Sequence, residues 1–279
     1  MLLVSVQNLA EAEQAIDAGV DVVDFKDPGR GPLAATEPAI WRQAAERWCG
    51  NDQSANWEGA SEFDGDGHPV TTYRQRSPFV GLSAALGEFP EGVALASEVP
   101  SSFRFAKIGP SGRRTAEALE RLWERTALPP GVTLVPVSYA DNRAASTVSA
   151  ETVLETVIAT GRKRLLIDTF SKDGRRLTDY LSPDRLRALL RRAHVADVWV
   201  ALAGSITLDV RKVLLAAGCE PDCWGVRGDV CRPGNPIGRA APLDEYRLKR
   251  WRRETTTASD AACRPVIAND AVSDTLETR

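Results

Sequence analysis

The chain has 279 residues, of which 43% are hydrophobic and 26% charged, and its formal net charge is −3. This balance is ordinary for a globular protein and supplies no strongly basic surface for nucleic acid or an anionic membrane. No run of about 18 apolar residues and no secretion signal is visible, so we expect a cytoplasmic protein without nucleic-acid or membrane partners.

Apolar runs of strand length alternate along the chain with segments of helical periodicity. The runs cover residues 2–6, 21–26, 79–86, 103–109, 133–140, 164–170, 197–205 and 223–228. Helical segments follow seven of them, at 9–19, 36–48, 115–127, 149–161, 182–194, 207–218 and 243–254, and the third unit is the weakest. Eight such units predict an α/β fold of the (β/α)8 TIM-barrel type. A doubly wound open sheet competes, but no G-x-G-x-x-G motif follows the first strand.

Two segments fall outside this repeat. Residues 50–77 are polar, rich in Gly, Asp and Ser, and without apolar periodicity, which predicts an inserted loop at the amino-terminal end of the barrel. Residues 256–279 have the composition of a disordered tail. We therefore predict one catalytic domain over residues 1–255.

Cysteine and histidine usage excludes several kinds of site. The cysteines are Cys49, Cys219, Cys223, Cys231 and Cys263, an odd number without a C-x-x-C pair, so we expect reduced thiols rather than a zinc site. With His68 and His194 as the only histidines, a histidine metal centre or a Ser-His-Asp triad is hard to build. We expect neither a metal nor a cofactor.

Lysine is rare in this chain. The 35 basic residues include only six lysines, at positions 26, 107, 163, 172, 212 and 249, and the rest are arginines. Arginine keeps its proton at neutral pH, whereas lysine can lose it where its surroundings lower its pKa. Some of these lysines are therefore candidates for chemistry that arginine cannot perform.

Catalytic groups of a TIM barrel come from the carboxyl ends of its strands. The charged residues predicted there are Asp24, Lys26, Lys107, Asp168 and Lys172. Neighbouring ammonium groups lower each other's pKa, and a neutral lysine can attack a carbonyl to form a Schiff base. This set predicts aldol-type carbon–carbon chemistry without a cofactor.

The last two strand ends have a different character. A-G-S follows the seventh strand and G-V-R-G ends the eighth, which supplies Gly204, Ser205, Gly225, Arg227 and Gly228. Loops at these positions often hold phosphate through backbone N–H groups, and an arginine can add a bidentate contact. We predict a phosphate site there, although the glycines could instead serve only tight turns.

The motifs LLVSV, DVVDFKDP, FAKIG, SYAD, LIDTFSKDG, ALAGSI and WGVRG, in this order, resemble the (5-formylfuran-3-yl)methyl phosphate synthase family of methanofuran biosynthesis. The resemblance implies a cofactor-free lyase that condenses two molecules of glyceraldehyde 3-phosphate, with loss of phosphate and water. It implies Lys26 as the Schiff-base lysine, Lys172 as a general acid or base and Lys107 as a further active-site lysine. Asp24 and Asp168 match the accompanying carboxylates.

The chain departs from the family at Asp27, where asparagine is usual, and this extra carboxylate is expected to raise the Lys26 pKa. Two rival readings stay open. One is another Schiff-base aldolase or phosphate-sugar lyase on the same fold. The other is a catalytically silent barrel that binds a partner protein through residues 50–77. We also expect a homo-oligomer.

Overall fold

The structure is a computed structural model that describes residues 1–49, 57–63, 69–75, 81–234 and 238–259. Its strands are β1 (Leu2–Val6), β2 (Val22–Phe25), β3 (Trp57–Phe63), β4 (Pro69–Gln75), β5 (Gly81–Ala85), β6 (Phe105–Ile108), β7 (Thr133–Tyr139), β8 (Arg164–Asp168), β9 (Trp199–Leu202) and β10 (Cys223–Val226). Its helices are α1 (Leu9–Asp17), α2 (Pro38–Cys49), α3 (Glu91–Leu95), α4 (Ala116–Arg125), α5 (Ala150–Ala159), α6 (Pro183–Val195), α7 (Leu208–Ala216) and α8 (Glu245–Ser259).

Eight of these strands close into a parallel barrel in the order β1-β10-β9-β8-β7-β6-β5-β2. Helices follow the barrel strands along the chain, which confirms the predicted (β/α)8 fold. The weak third unit is also as predicted, because α3 has only five residues and continues into a 3₁₀ turn over Ala96–Glu98.

Side chains alternate along each barrel strand between the interior and the helices. Outward residues such as Val4, Val23 and Ile167 pack against the helices, and inward residues such as Val22, Val137 and Leu166 fill the base of the barrel. At the carboxyl ends of the strands the inward positions become polar. The barrel is therefore apolar at its base and charged at its top, where a catalytic site is expected.

Six of the helices begin directly after a residue whose side-chain oxygen accepts a hydrogen bond from the backbone N–H three positions later. These N-cap residues are Asn8, Thr115, Ser149, Ser182, Thr207 and Asp244. Such caps satisfy an otherwise unpaired N–H group at the helix start. They fix where each helix begins and therefore how long the loop from the preceding strand is.

The prediction that residues 50–77 form only a loop is wrong. Residues 57–63 and 69–75 pair as an antiparallel hairpin, with Trp57 opposite Gln75. The hairpin has no apolar periodicity and is flanked by Gly- and Asp-rich residues, so composition concealed it. It lies between α2 and β5, at the amino-terminal end of the barrel strands as predicted.

Helix α8 continues to Ser259, past the predicted start of the tail at residue 256. Residues 260–279 lie outside the described part of the chain, so the disordered tail stays a prediction, as does the single domain over residues 1–255. Within the described residues, no helix combines the length and the apolarity needed to span a membrane.

Candidate active site

A cavity of about 260 Å³ opens at the carboxyl ends of the barrel strands. Every residue predicted for the site lines it: Asp24, Lys26, Lys107, Asp168, Lys172, Gly204, Ser205, Gly225, Arg227 and Gly228. The parallel barrel gathers these residues because it places the ends of all its strands on one rim.

Lys26 follows β2 directly and is only 8% exposed. Its Nζ lies 3.9 Å from Asp168 Oδ2. Burial disfavours the ammonium form and, with help from the positive charges of Lys172 and Lys107, lowers the pKa of Lys26 to about 8, although the carboxylates oppose this shift. A substantial share of a neutral amine near neutral pH is what a Schiff-base nucleophile needs.

Asp27 is not among the main groups that shift the pKa of Lys26. Its carboxylate turns back into its own loop, where Oδ1 accepts a hydrogen bond from the N–H of Gly29 at 2.9 Å. Its Oδ2 pairs with Arg30 Nε at 3.4 Å. The Asp27 carboxylate therefore stabilises the turn after β2, and its effect on the Lys26 pKa relative to asparagine stays a prediction.

Asp168 ends β8 and is shared by two lysines. Lys172 Nζ donates to Asp168 Oδ1 at 3.2 Å and to the backbone oxygen of Thr169 at 2.5 Å. Burial favours the neutral acid, but the ammonium groups of Lys172 and Lys26 outweigh it and hold the pKa of Asp168 below its usual value. The Asp168 carboxylate is thus charged and lies between the amines of Lys26 and Lys172. In this position Lys172 can act as an acid or base beside Lys26.

Lys107 and Asp24 form a buried ion pair deeper in the barrel, with exposures of 3% and 1%. Ser5 adds a hydrogen bond from its Oγ to Asp24 Oδ2 at 3.3 Å. Ser5 and Asp24 face each other because β1 and β2 pair in that register. This ion pair holds one positive and one negative charge deeper in the barrel than Lys26.

The loop after β9 approaches its neighbours too closely for most side chains. Gly204 has φ +100°, and a Cβ there would lie 2.9 Å from Thr169 Cγ2. Ser205 also has a left-handed φ of +54°. Gly225 is similar, since a Cβ would lie 3.1 Å from that of Ala203. These positions leave backbone at the cavity wall, as the predicted phosphate cradle requires.

Arg227 does not have the free side chain that the predicted bidentate phosphate contact needs. All five of its N–H donors are used within the protein. Nη1 and Nη2 bind the buried carboxylate of Glu11 at 2.6 and 3.0 Å. The other donors bind the backbone oxygens of Ser5, Arg239 and Ala241. An arginine that is satisfied in this way has no donor left for a ligand, so Arg227 contributes structure to the site.

Two arginines that the sequence did not single out also line the cavity. Arg176 follows the Lys172 loop, and Arg239 lies in the loop after β10. In a chain whose basic residues are nearly all arginines, neither stood out from composition. The distance of Arg239 from its strand end, within an irregular loop, removed the remaining signal.

Asp141, from the SYAD motif, holds the loop that carries Lys172. Its two carboxylate oxygens accept hydrogen bonds from the N–H groups of Phe170 and Ser171 at 2.6 and 2.7 Å. In the same motif, Tyr139 is buried against Phe170, with ring centroids 5.2 Å apart. The motif therefore supports the cavity from the neighbouring strand.

From the sequence we also expect reduced thiols and no metal site. Within the described residues, no group of three or more His, Cys, Asp or Glu side chains could hold a metal ion. The four described cysteines are free thiols. His194 pairs with Asp222 away from the cavity, while His68 and Cys263 lie outside the described residues.

The sequence profile of the family described as 4-HFC-P synthase matches residues 2–252. The chain belongs to this family. A relative from Methanococcus maripaludis, named (5-formylfuran-3-yl)methyl phosphate synthase, is 29% identical over 245 residues, covering 84% of this chain and 91% of the relative. The synthase of that name from Methanopyrus kandleri is 29% identical over 239 residues, covering 84% and 90%.

Membership of the 4-HFC-P synthase family makes the chain an enzyme of the synthase type. Among solved structures, phosphoribosyl anthranilate isomerase from Thermus thermophilus superimposes with a TM-score of 0.51 at 16% identity, covering 92% of this chain and 98% of that one. At this identity the likeness concerns the barrel fold alone. The chemistry must therefore be argued from the cavity.

Proposed function

We propose that the chain condenses two molecules of glyceraldehyde 3-phosphate, through a Schiff base on Lys26, to (5-formylfuran-3-yl)methyl phosphate in methanofuran biosynthesis. The observation that carries this proposal is the buried Lys26 amine, with its pKa lowered to about 8, next to Asp168 and Lys172. At pH 7 about one tenth of such an amine is neutral, against less than a thousandth for a free lysine.

The charge balance of the cavity supports an anionic substrate. Lys107 is paired with Asp24 and Arg227 with Glu11. Asp229 is engaged by Leu208, Trp251 and Arg247. The lining then retains one carboxylate, Asp168, against four cations: Lys26, Lys172, Arg176 and Arg239. Phosphorylated trioses supply the missing negative charge.

The carbon skeleton of the product defines the steps. The Lys26 amine displaces water from the aldehyde of one triose to give an iminium, and a base takes the C2 proton. The iminium accepts the electrons of the C2–H bond and becomes an enamine. The enamine then expels phosphate from C3 and becomes an iminium again. This leaves an enol over C2 and C3, in which C3 is the nucleophilic carbon. The second glyceraldehyde 3-phosphate reacts as its ketone isomer, which forms when a base takes the C2 proton of the free triose and the resulting enediol is protonated at C1. The ketone is needed because C3 of the first triose bonds to the central carbonyl carbon of the second.

The free hydroxyl of the second triose closes the ring on C2 of the first. Loss of two water molecules makes the furan aromatic, and hydrolysis of the iminium releases the aldehyde and the Lys26 amine. We assign the proton transfers to Lys172 and Asp168, because the Asp168 carboxylate lies 3.2 Å from Lys172 Nζ and 3.9 Å from Lys26 Nζ. The reaction needs groups that take a proton in one step and return it in another, as an amine beside a carboxylate can.

The test is incubation with glyceraldehyde 3-phosphate alone, followed by mass and near-ultraviolet analysis of the product. We expect a furan aldehyde, which absorbs there, together with inorganic phosphate. An aldol product without this absorbance would instead favour another Schiff-base aldolase. Borohydride should trap a triose-derived mass on Lys26, and Lys26→Arg should abolish both trapping and turnover, whereas Lys163→Arg, at an exposed lysine, should change neither. Turnover with an unmodified Lys26 would refute the mechanism.

A cytoplasmic location and a homo-oligomeric state are part of this proposal as predictions. The absence of a required cofactor is a further prediction, and activity of extensively dialysed enzyme in a chelator would test it. We propose that Lys107 and Asp24 act through their charges and not as acids or bases, because both side chains are buried and paired with each other.

A further inference from the structure

Arg239 occupies an unusual position over the cavity. Its Cβ lies above Gly228, at 3.9 Å from the Cβ that Gly228 lacks. Its Nη2 donates to the backbone oxygen of Gly31, in the loop after β2, at 3.2 Å. The side chain therefore starts beside β10 and crosses the end of β1, so that its guanidinium lies on the Lys26 side of the cavity.

The backbone of Arg239 is fixed to the barrel by the ion pair between Arg227 and Glu11. Arg227 Nε donates to the Arg239 carbonyl at 2.8 Å, and Arg227 Nη2 donates to Ala241 at 2.8 Å. Glu11 belongs to α1, so the loop is tied to both ends of the barrel sheet. A cation on such a loop is held in place before a ligand arrives, which reduces the entropy lost on binding.

The Arg239 guanidinium also has donors to offer. Among the described residues, the Gly31 carbonyl is its only hydrogen-bond partner. The side chain is half-buried at the cavity wall, where the carboxylate of Asp168 is already shared by Lys26 and Lys172. Asp27, the other carboxylate that acts on Arg239, is paired with Arg30. A partly desolvated guanidinium whose other donors have no partner in the described part of the chain favours an anion that can accept a bidentate contact.

We propose that Arg239, rather than Arg227, is the arginine that binds a phosphate group of the substrate. The proposal rests on the function proposed above only in taking a triose phosphate as the ligand. Arg227 does not contact the phosphate; it is a positioning residue that holds the Arg239 backbone. The phosphate bound by Arg239 lies on the β2 side of the cavity, beside Lys26, where the carbonyl of the same triose can reach the amine.

The test is calorimetric titration with glycerol 3-phosphate, which has the phosphate and length of a triose phosphate but no carbonyl to form an imine. Arg239→Gln should weaken binding at least tenfold, the range for a lost hydrogen bond to a charged group. Arg239→Lys, which keeps the charge without the planar fork, should fall between this variant and the wild type. The matched control is Arg232→Gln, at an exposed arginine of the same loop that does not line the cavity, and it should leave the affinity unchanged.

Equal affinities of the wild type and Arg239→Gln would overturn the proposal, as would equal losses in the Arg239 and Arg232 variants or no binding by the wild type. The titration involves no turnover, so it is independent of the reaction. If glyceraldehyde 3-phosphate gives no furan product while Arg239→Gln still weakens glycerol 3-phosphate binding, the proposed function fails and the Arg239 site stands.

Discussion

The Lys26 amine, directly after β2, takes its lowered pKa from what surrounds it. Burial removes water from the ammonium, and two further lysines repel it, while Asp168 restrains the fall of its pKa to about 8. Removing Lys172 or Asp168 should therefore move the titration of Lys26.

The rate of Schiff-base formation should rise about tenfold per pH unit below pH 8 and level off above it, because only the neutral amine attacks. The Lys172 ammonium lowers the Lys26 pKa, so Lys172→Gln should move this rise to higher pH. The measurement is the pH dependence of borohydride trapping. Lys163→Gln, at an exposed lysine, should leave the profile in place, and a shift to lower pH in Lys172→Gln would contradict the account.

The same burial should cost stability. The pKa of Lys26 is lower in the folded than in the unfolded chain, so between about pH 8 and 10.5 the unfolded chain binds more protons and stability rises with pH. Below pH 8 the cost is present in full. Lys26→Met should therefore raise the free energy of unfolding at pH 7 by about 1–3 kcal/mol, measured by urea denaturation, with little difference above pH 10.5. A less stable variant at pH 7 would refute this.

At the scale of the elements, the loop after β8 is held in place by Asp141, which follows the adjacent strand β7. Lys172 reaches Asp168 only while the backbone of Phe170 and Ser171 is held by the Asp141 carboxylate from the end of β7. A charged acceptor for two N–H groups is worth more than a neutral one. The loop is thus positioned by a residue that does not line the cavity.

Asp141→Asn keeps one carbonyl oxygen but turns an NH₂ group toward one of the two N–H donors. We expect the free energy of unfolding to fall by about 1–3 kcal/mol and kcat to fall at least tenfold as Lys172 loses its place. Borohydride trapping at Lys26 should persist, because Lys26 belongs to another strand. Asp173→Asn, at an exposed position of the same loop, is the control. Loss of trapping in parallel with kcat would indicate general disruption instead.

Much at these two scales follows from sequence. Strand ends are readable because apolar alternation stops at charged residues, so Lys26, Lys107, Asp168 and Lys172 could be assigned to one rim. Partner choice is not readable in this way. Arg227 looks available in G-V-R-G, and only the fold brings the distant Glu11 carboxylate against its Nη1 and Nη2. The other three donors bind backbone oxygens that the sequence motif does not reveal. Hairpin β3–β4 was not predicted, because the sequence of residues 50–77 shows no apolar periodicity.

At the scale of the whole molecule, the ion pair between Glu11 and Arg227 joins the first unit of the barrel to the last. Both residues are at most 7% exposed. Removing one partner of such a pair leaves a buried charge without compensation. The pair thus couples closure of the sheet to the loop that carries Arg239.

Arg227→Met should lower the free energy of unfolding by about 3–5 kcal/mol, measured by urea denaturation. The double variant Glu11→Met with Arg227→Met should recover much of this loss, because it leaves no unpaired charge. The exposed pair of Lys249 with Glu245 is the control, and Lys249→Met should change stability by less than about 1 kcal/mol. Equal losses in the single and double variants would contradict the account.

The pairing of β1 with β10 also governs when the pocket comes into existence during synthesis. Leu2 cannot meet Trp224 until the ribosome has made and released almost the entire barrel. In a nascent chain Lys26 is therefore an ordinary amine that is almost fully protonated at neutral pH. Under the proposed mechanism its larger neutral share arises only when the ring is complete, so unfinished or truncated copies should form triose adducts at that amine far more slowly.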